Sequence, residues 1–368
     1  MRVKVLAPLA AVVLAGCGAT SAAPPSSSVS PTPTAIVTGT PAAATRYAVI
    51  VHNFLTDTGP TYTIALAGAD GNTAATATAT KRSAASWFQV SSLSTSSTRV
   101  YYLDGNADVH FLQPDGRTGL ATHLTVPAGA AAAFAVSPDD SRIAVSIMDI
   151  NHYPATTNLY VQDLAGGGHR VDLLQPTTAL EWPLGWHNGR LIVAFGLNVH
   201  PQNYFDGFAW GHGYQVLDPA TGQSLADVCK GLDAYNPPVP AGVTCVSQPT
   251  GEVASWTGTA NPEPVVSGCA QDGALSPDGS KITSRMVPIN GGCGGASTIS
   301  LVALDGSSTP THASGNAEGW LDMDYFVVRS DDQIRTAGSS VSMYDIATGT
   351  SSPIQAPGFF GGTVPGGL

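Results

Sequence analysis

The sequence predicts an all-β chain folded as a β-propeller. Its blades are four-stranded antiparallel sheets, seven in number, or six if one of them is incomplete. Three observations predict this: turn signals that recur at a near-regular interval, inner-strand motifs that repeat at a multiple of that interval, and a composition of sheets and turns.

The turn signals are Asp70-Gly71, Asp115-Gly116, Gly166-Gly167, Thr221-Gly222, Thr250-Gly251, Asp305-Gly306 and Thr348-Gly349. Each follows a short alternating apolar run, such as Tyr62-Thr63-Ile64, Val109-His110-Phe111-Leu112 or Thr244-Cys245-Val246. A strand running into a tight turn of this kind reads as a hairpin. The mean spacing, about 46 residues, falls in the range of roughly 40–50 typical of propeller blades. Between Ser224 and Trp256 the spacing shrinks, so the blade there is expected to be irregular.

A blade also needs an inner pair of strands. Ser137-Pro138-Asp139-Asp140-Ser141-Arg142-Ile143-Ala144-Val145 and Ser276-Pro277-Asp278-Gly279-Ser280-Lys281-Ile282-Thr283 are near copies, about three blade lengths apart. Proline presets the first corner of such a turn, and Asp and Gly tolerate the remaining angles. Weaker echoes begin at Thr98, Asn188 and Met323. The first blade starts at Arg46 and lacks an innermost strand, while Gly358-Phe359-Phe360-Gly361-Gly362-Thr363-Val364 follows the last hairpin with no blade of its own. That tail is expected to complete the first blade and close the seam.

The Ser-Pro-Asp-Gly turn, followed by a basic residue and an apolar strand, resembles the TolB-like and WD40-like propeller repeats of many bacterial exported proteins. Two repeats carry the resemblance, over about ten residues each. It implies a propeller and implies no catalytic residues.

The beginning of the chain reads as an address. Met1-Arg2-Val3-Lys4 is basic, Val5 to Ala15 is apolar, and Leu14-Ala15-Gly16-Cys17 has the form of a lipoprotein signal-peptidase site. The apolar stretch is too short to span a bilayer. Residues 1–16 are thus expected to be a signal peptide, with lipid on Cys17; in an ordinary secretory signal Cys17 would be incidental. Residues 17–45, rich in Ser, Thr, Pro and Ala, read as a disordered tether, and residues 46–368 as the propeller. The expected place is the outer face of the cytoplasmic membrane.

Gly 41, Pro 27 and 11% charged residues suit a turn-rich sheet protein. The net charge of −11 becomes −13 once Arg2 and Lys4 leave with the signal. Such a surface repels phosphate backbones, which argues against nucleic acid as a partner. The remaining length is filled by one closed domain, and a monomer is expected.

Four cysteines remain after Cys17. In an oxidising compartment an even number suggests two bridges. We label the strands of a blade a to d from the axis outward. The a–b and c–d turns then lie on one face, here the lower, and the b–c and d–a connections on the upper. Cys229 ends a d strand and Cys245 is read at the start of the next c strand; Cys269 precedes an a strand and Cys293 sits in the b–c loop of the same blade. The expected pairs are Cys229–Cys245 and Cys269–Cys293. No CxxC or neighbouring His supports a metal site instead.

The lower-face turns are short and alike, whereas the b–c loops are long and unlike each other, and variation of that kind marks the binding side. The longest runs from Gly196 to Gly213 and holds His200, Asn203, Tyr204, Asp206, Phe208, Trp210 and His212. The neighbouring blade contributes Asp149, Asn151, His152 and Tyr153. Aromatic faces beside amides and acids suit a protein, peptide or glycan ligand. The plainer reading is a loop whose aromatics fold back as local cover. His200, His212 and Asp206 match no specific metal-ligand spacing.

Asp104-Gly105-Asn106-Ala107-Asp108 has the oxygen alternation of a calcium loop without its downstream Glu, and reads as a hairpin turn. No nucleophile elbow, zinc-protease helix, Walker loop or dinucleotide fingerprint occurs, and no cofactor is expected. Glu181, Glu252, Glu263 and Glu318 are expected on separate blades. A membrane-anchored, non-catalytic binding or scaffold module is the reading these features favour. The alternative is an extracytoplasmic hydrolase or lyase acting on glycan or peptide.

Overall fold

Fully buried two-residue-period strands separated by tight turns can satisfy their backbone only in sheets, and sheets are what the chain forms. The computed structural model describes residues 45–366, apart from 55–58, 83–87, 90–91, 150–153, 178–179, 197–204, 207–212, 229–238, 240, 248–251, 257–262, 267–272, 287–297 and 331–339. Residues 44–368 make one compact unit.

The first blade contains β1 (Tyr47–His52), β2 (Thr61–Ala67) and β3 (Thr73–Thr80), and a short strand β4 (Phe88–Gln89) follows it. The second is built from β5 (Leu93–Thr95), β6 (Val100–Asp104), β7 (Asp108–Leu112) and β8 (Thr118–His123). The third has β9 (Ala130–Val136), β10 (Arg142–Asp149), β11 (Thr156–Asp163) and β12 (Val171–Thr177). The fourth has β13 (Leu180–His187), β14 (Arg190–Gly196), β16 (Tyr214–Leu217) and β17 (Ser224–Val228), with β15 (Phe205–Asp206) inside its b–c connection.

The fifth blade shows three strands among the described residues: β18 (Val243–Ser247), β19 (Glu252–Trp256) and β20 (Glu263–Val266). The sixth has β21 (Ala274–Leu275), β22 (Lys281–Met286), β23 (Thr298–Ala303) and β24 (Ser308–Ser314). The seventh has β25 (Asn316–Trp320), β26 (Tyr325–Arg329), β27 (Val341–Asp345) and β28 (Thr350–Pro353). The last strand, β29 (Phe359–Val364), returns to the first blade and pairs antiparallel with β1 from Tyr47↔Val364 to Val51↔Phe359. The tail therefore supplies the missing innermost strand. Among the described residues six sheets have four strands and one has three.

Innermost strands touch in succession around the axis: β29 meets β5, β5 meets β9, β9 meets β13, β18 meets β21, β21 meets β25, and β25 meets β29. The core lies between blades rather than at one centre. Phe359, Val49, Val51, Leu93, Val100 and Tyr102 fill the space between the first and second blades, and Phe360, Ala48, Ile50, Val327 and Met343 that between the seventh and first. Consecutive phenylalanines on β29 thus face opposite neighbours, as strand alternation requires. Two inner-strand tryptophans also tie blade to blade. Trp186 Nε1 donates to the Ala135 carbonyl at 3.2 Å, and Trp320 Nε1 to the Ala274 carbonyl at 2.8 Å.

The repeated Ser-Pro-Asp turns are the a–b turns of the third and sixth blades, and their wiring is the same. The Asp139 carboxylate accepts from Ser137 Oγ, Ser141 N and Ser141 Oγ at 2.6, 3.1 and 2.7 Å, and the Ser137 hydroxyl accepts from Arg142 N at 2.9 Å. Asp278 accepts from Ser276 Oγ, Ser280 N and Ser280 Oγ at 2.7, 2.9 and 2.9 Å, and Ser276 Oγ accepts from Lys281 N at 3.0 Å.

One sequence reading is corrected. The run Thr244-Cys245-Val246 was expected as a c strand, but it lies in β18, whose contact with β21 makes it innermost. Val243 and Cys245 are buried against Trp182 and Tyr214, and Thr244 is buried on the opposite side, where its hydroxyl donates to the Gly273 carbonyl at 2.6 Å. Burial on both faces is the mark of an inner strand, and a run of three residues is too short to reveal it. β18 and β19 pair antiparallel as the inner two strands of their blade, which explains the shortened spacing; Thr250-Gly251 lies outside the described residues.

Candidate functional site

The strand order places two unlike faces at the ends of the blades. On the lower face the turns consume their own polar groups. Asp70 accepts from Asn72 N, Asp115 from Arg117 N, Asp218 from Ala220 N, Asp305 from Ser307 N and Asp345 from Ala347 N, at 2.8–3.0 Å. These backbone bonds hold the Asp70 and Asp115 carboxyls below the ordinary range; for Asp305 the Ser307 hydroxyl leads, and for Asp345 the Thr348 N–H. Groups so committed have little left for a ligand.

The upper face is different. It receives the long connections, and two of them pair: β4 and β15 form a parallel ribbon with Phe205↔Phe88 and Asp206↔Gln89 in register. β4 belongs to the connector between the first and second blades, and β15 to the b–c loop of the fourth, so this loop reaches past the third blade. The sequence gives no sign of the ribbon, since two residues carry no readable period.

Of the predicted rim residues, Asp149 is the last residue of β10, opposite Ala130 and Thr156, and is half-buried. Asp206 sits in the ribbon. Asn151, His152, Tyr153, His200, Asn203, Tyr204, Phe208, Trp210 and His212 lie outside the described residues. So do Cys17, Cys229, Cys269 and Cys293. Cys245 is disulfide-bonded.

Two of the glutamates expected on separate blades, Glu181 and Glu318, lie on inner strands, and two arginines that the sequence did not single out, Arg82 and Arg329, lie near upper strand ends. In β25 the pairing with β26 slips between Ala317 and Gly319, leaving Glu318 as a bulge residue. Bulges re-aim side chains, and this one turns Glu318 onto Arg329 at the upper end of β26. Their Oε1–Nε distance is 2.8 Å, and their side chains are 12% and 8% exposed. Arg82, just beyond β3, donates from Nη1 to the Ala132 carbonyl of β9 at 3.1 Å and lies over the Phe54 ring at 5.8 Å. Burial pulls its guanidinium down to about 10.

Glu181, second residue of the innermost strand β13, is half-buried with a raised carboxyl pKa caused by desolvation. Its Oε2 is buried without a hydrogen-bond partner. A lone Glu in a strand run gives no hint of such a setting, because its neighbours come from another blade: Ser146 Oγ donates to its carbonyl, and Thr157 Oγ1 accepts from its N–H at 3.3 Å. Glu252 and Glu263 open β19 and β20, so these two share the fifth blade rather than occupying separate ones.

The Asp104–Asp108 turn is a hairpin, as expected. Asp104 accepts from Thr80 N at 2.7 Å, and Asp108 meets His123 Nδ1 at 2.6 Å. Among the described residues, no group of three or more His, Cys, Asp or Glu is arranged to hold a metal ion, and no helix is long and apolar enough to cross a membrane.

No protein-family model and no curated protein matches the chain. Solved structures do resemble it. An acylaminoacyl peptidase of Pyrococcus horikoshii is 8% identical with a TM-score of 0.47, over 84% of this chain and 53% of the peptidase. The β-propeller domain of the Trilobed protease from Pyrococcus furiosus is 9% identical with a TM-score of 0.46, over 81% and 88% of the two chains. The tricorn protease is 13% identical with a TM-score of 0.39, over 72% and 26%. The chain thus spans about half the length of the acylaminoacyl peptidase. Likeness at such identities and TM-scores assigns no chemistry to this chain.

Proposed function

We propose that this chain is an extracytoplasmic propeller lipoprotein that binds a protein, peptide or glycan through its upper face without transforming it. The observation that carries this reading is the contrast between the two faces. Lower-face carboxylates are spent on their own turns, while the upper face collects the long connections, the β4–β15 ribbon and the half-buried charges Arg82, Asp149 and Glu181. Lipid on Cys17 would hold the domain at the outer face of the cytoplasmic membrane, with residues 17–45 as tether, so that recognition occurs at high local concentration near the surface.

A ligand screen tests it. The purified chain is exposed to cell-wall fragments, glycans and peptides, in parallel with a variant carrying alanine at Tyr204, Phe208 and Trp210. Selective binding that the triple variant loses supports the reading, and equal affinity of the two proteins refutes it. Replacing Cys17 with Ser and finding the protein still membrane-bound would refute the anchor.

One observation favours a hydrolase instead. A carboxyl with raised pKa at the upper end of an inner strand, as Glu181 is, matches what a general acid requires. Under that reading Glu181→Gln abolishes turnover of a glycan or peptide substrate, whereas a binding module shows no turnover to abolish.

A further inference from the structure

A second polar site lies away from the upper rim, on the flank between the outer strands of the second and third blades. A cavity of about 420 Å³ opens there, lined by Thr122 and His123 of β8, the nearby Thr125, Tyr160 and Gln162 of β11, the Gly166-Gly167 turn, and Arg170. The volume falls within the roughly 300–1,000 Å³ usual for small-ligand sites.

Its walls are unusual in one respect. Thr122, Tyr160 and Gln162 are only 8%, 3% and 8% exposed, yet among the described residues none of their side chains makes a hydrogen bond to protein. Their polar atoms are not among the buried atoms that lack a partner, so they reach the water of the cavity and are open to a ligand there. Strand alternation places Tyr160 and Gln162 on the same side of β11, toward the second blade, while Leu159 and Val161 pack toward the fourth. Two polar groups thus occupy positions that the inter-blade core would otherwise fill with apolar ones. Gly167 keeps the amide uncovered: a Cβ there would come within 3.4 Å of Gln162 Nε2, and its φ of +65° disfavours any side chain.

The charges around the cavity identify the kind of ligand. Arg170 lies 3.7 Å above the Tyr160 ring and is bound by Asp172 through Nε and Nη2 at 2.9 and 2.7 Å. His123 Nδ1 is held by Asp108 at 2.6 Å. The Arg170 guanidinium already has its carboxylate and the His123 Nδ1 its hydrogen-bond partner, so an anion gains little here. The open groups are hydroxyls and an amide, which donate and accept alike, and a polyhydroxylated neutral molecule complements both functions. We propose that the groove between the second and third blades is a binding site for a neutral sugar, separate from the upper face.

The test uses the purified chain with methyl glycosides of glucose, galactose, mannose and N-acetylglucosamine as probes, followed by saturation-transfer NMR and titration, with acetate and inorganic phosphate as anionic comparisons. The variant Thr122→Val with Gln162→Leu keeps the shape of both side chains and removes their hydrogen-bonding groups. It is expected to fold with little change in Tm, because it removes polar groups that face only the water of the cavity. At least one glycoside is expected to bind the parent chain, and the variant to bind it about tenfold or more weakly. Binding of no probe, binding of the anions in preference, or equal glycoside affinity in the variant each overturns the proposal. The last result would place the sugar elsewhere and leave the upper-face reading intact.

Discussion

Gly319 faces the Phe360 ring at the seam, and substituting alanine for glycine there tests how the blades are joined. Gly319 belongs to β25 of the last blade and Phe360 to β29, the strand that completes the first. A Cβ built on Gly319 would fall 2.1 Å from Phe360 Cε1 and 2.5 Å from Cδ1. Gly319 does not occupy left-handed backbone space, so alanine fits its strand conformation and alone would stabilise by about 0.4–1 kcal/mol through the unfolded state. The ring contact reverses that sign. Overpacking of this kind costs about 1–3 kcal/mol, and for a domain of this size each kcal/mol lowers Tm by roughly 2 °C. Phe360→Ala alone removes a large buried side chain at a cost of about 3–5 kcal/mol. In the double variant the methyl enters the space the ring has left, so the combined loss should fall short of the sum by about 1–2 kcal/mol. Urea titrations of the four proteins measure the cycle. Additive losses, or a neutral Gly319→Ala, would show that these blades do not meet in this way.

Three further outcomes are expected. Trp320→Phe should cost about 1–2 kcal/mol, since it removes the indole donor that ties β25 to β21, while the Ala274 carbonyl keeps the Thr283 hydroxyl as a donor at 3.2 Å; a loss indistinguishable from zero by thermal melting would count against the tie. Glu181→Gln should raise Tm at neutral pH and make no difference in acid. The native state binds the Glu181 proton more tightly than the unfolded chain, so stability falls as pH rises through the raised pKa and the amide escapes that fall; a Tm gain that persists below the carboxylate range would refute this. For Asp139 and Asp278, whose pKa values are lowered, the sign is opposite. Hydrogen bonds from Ser137 and Ser141 dominate at Asp139, and at Asp278 bonds from Ser280 and Ser276 outweigh a desolvation that acts against them. Their contribution is complete above the unfolded pKa and is lost as pH falls through the folded one, so Asp139→Asn with Asp278→Asn should flatten the acid limb of a stability-versus-pH curve, and an unchanged limb would sink the idea.

Much of the architecture could be read from the residues because the blade repeats local chemistry. Asp-Gly, Gly-Gly and Thr-Gly turns report where the chain must reverse, and the six that lie among the described residues mark c–d turns. The Ser-Pro-Asp motifs mark inner hairpins because proline, carboxylate and hydroxyl act within five residues of one another. The seam was readable from a count: one strand was missing at the first blade and one was spare after the last. What escaped depends on distance between blades. Cys245 is innermost only because Trp182, Tyr214 and Gly273 surround its strand; Glu318 meets Arg329 only because a single residue is inserted into β25; Gln162 looks like any strand glutamine until the second blade is set beside it. The expected upper rim rests on loop length and aromatic residues rather than on geometry, because long b–c loops carry no period.

The placement of β29 also sets the order of assembly. Tyr47 finds its partner in Val364, so the inner edge of β1 stays uncovered while nearly the whole chain is made. Joining partners so far apart in sequence carries a large loop-closure entropy and slows folding. A chain that still lacks its final strand thus has an open inner edge on its first blade, and only β29 covers it.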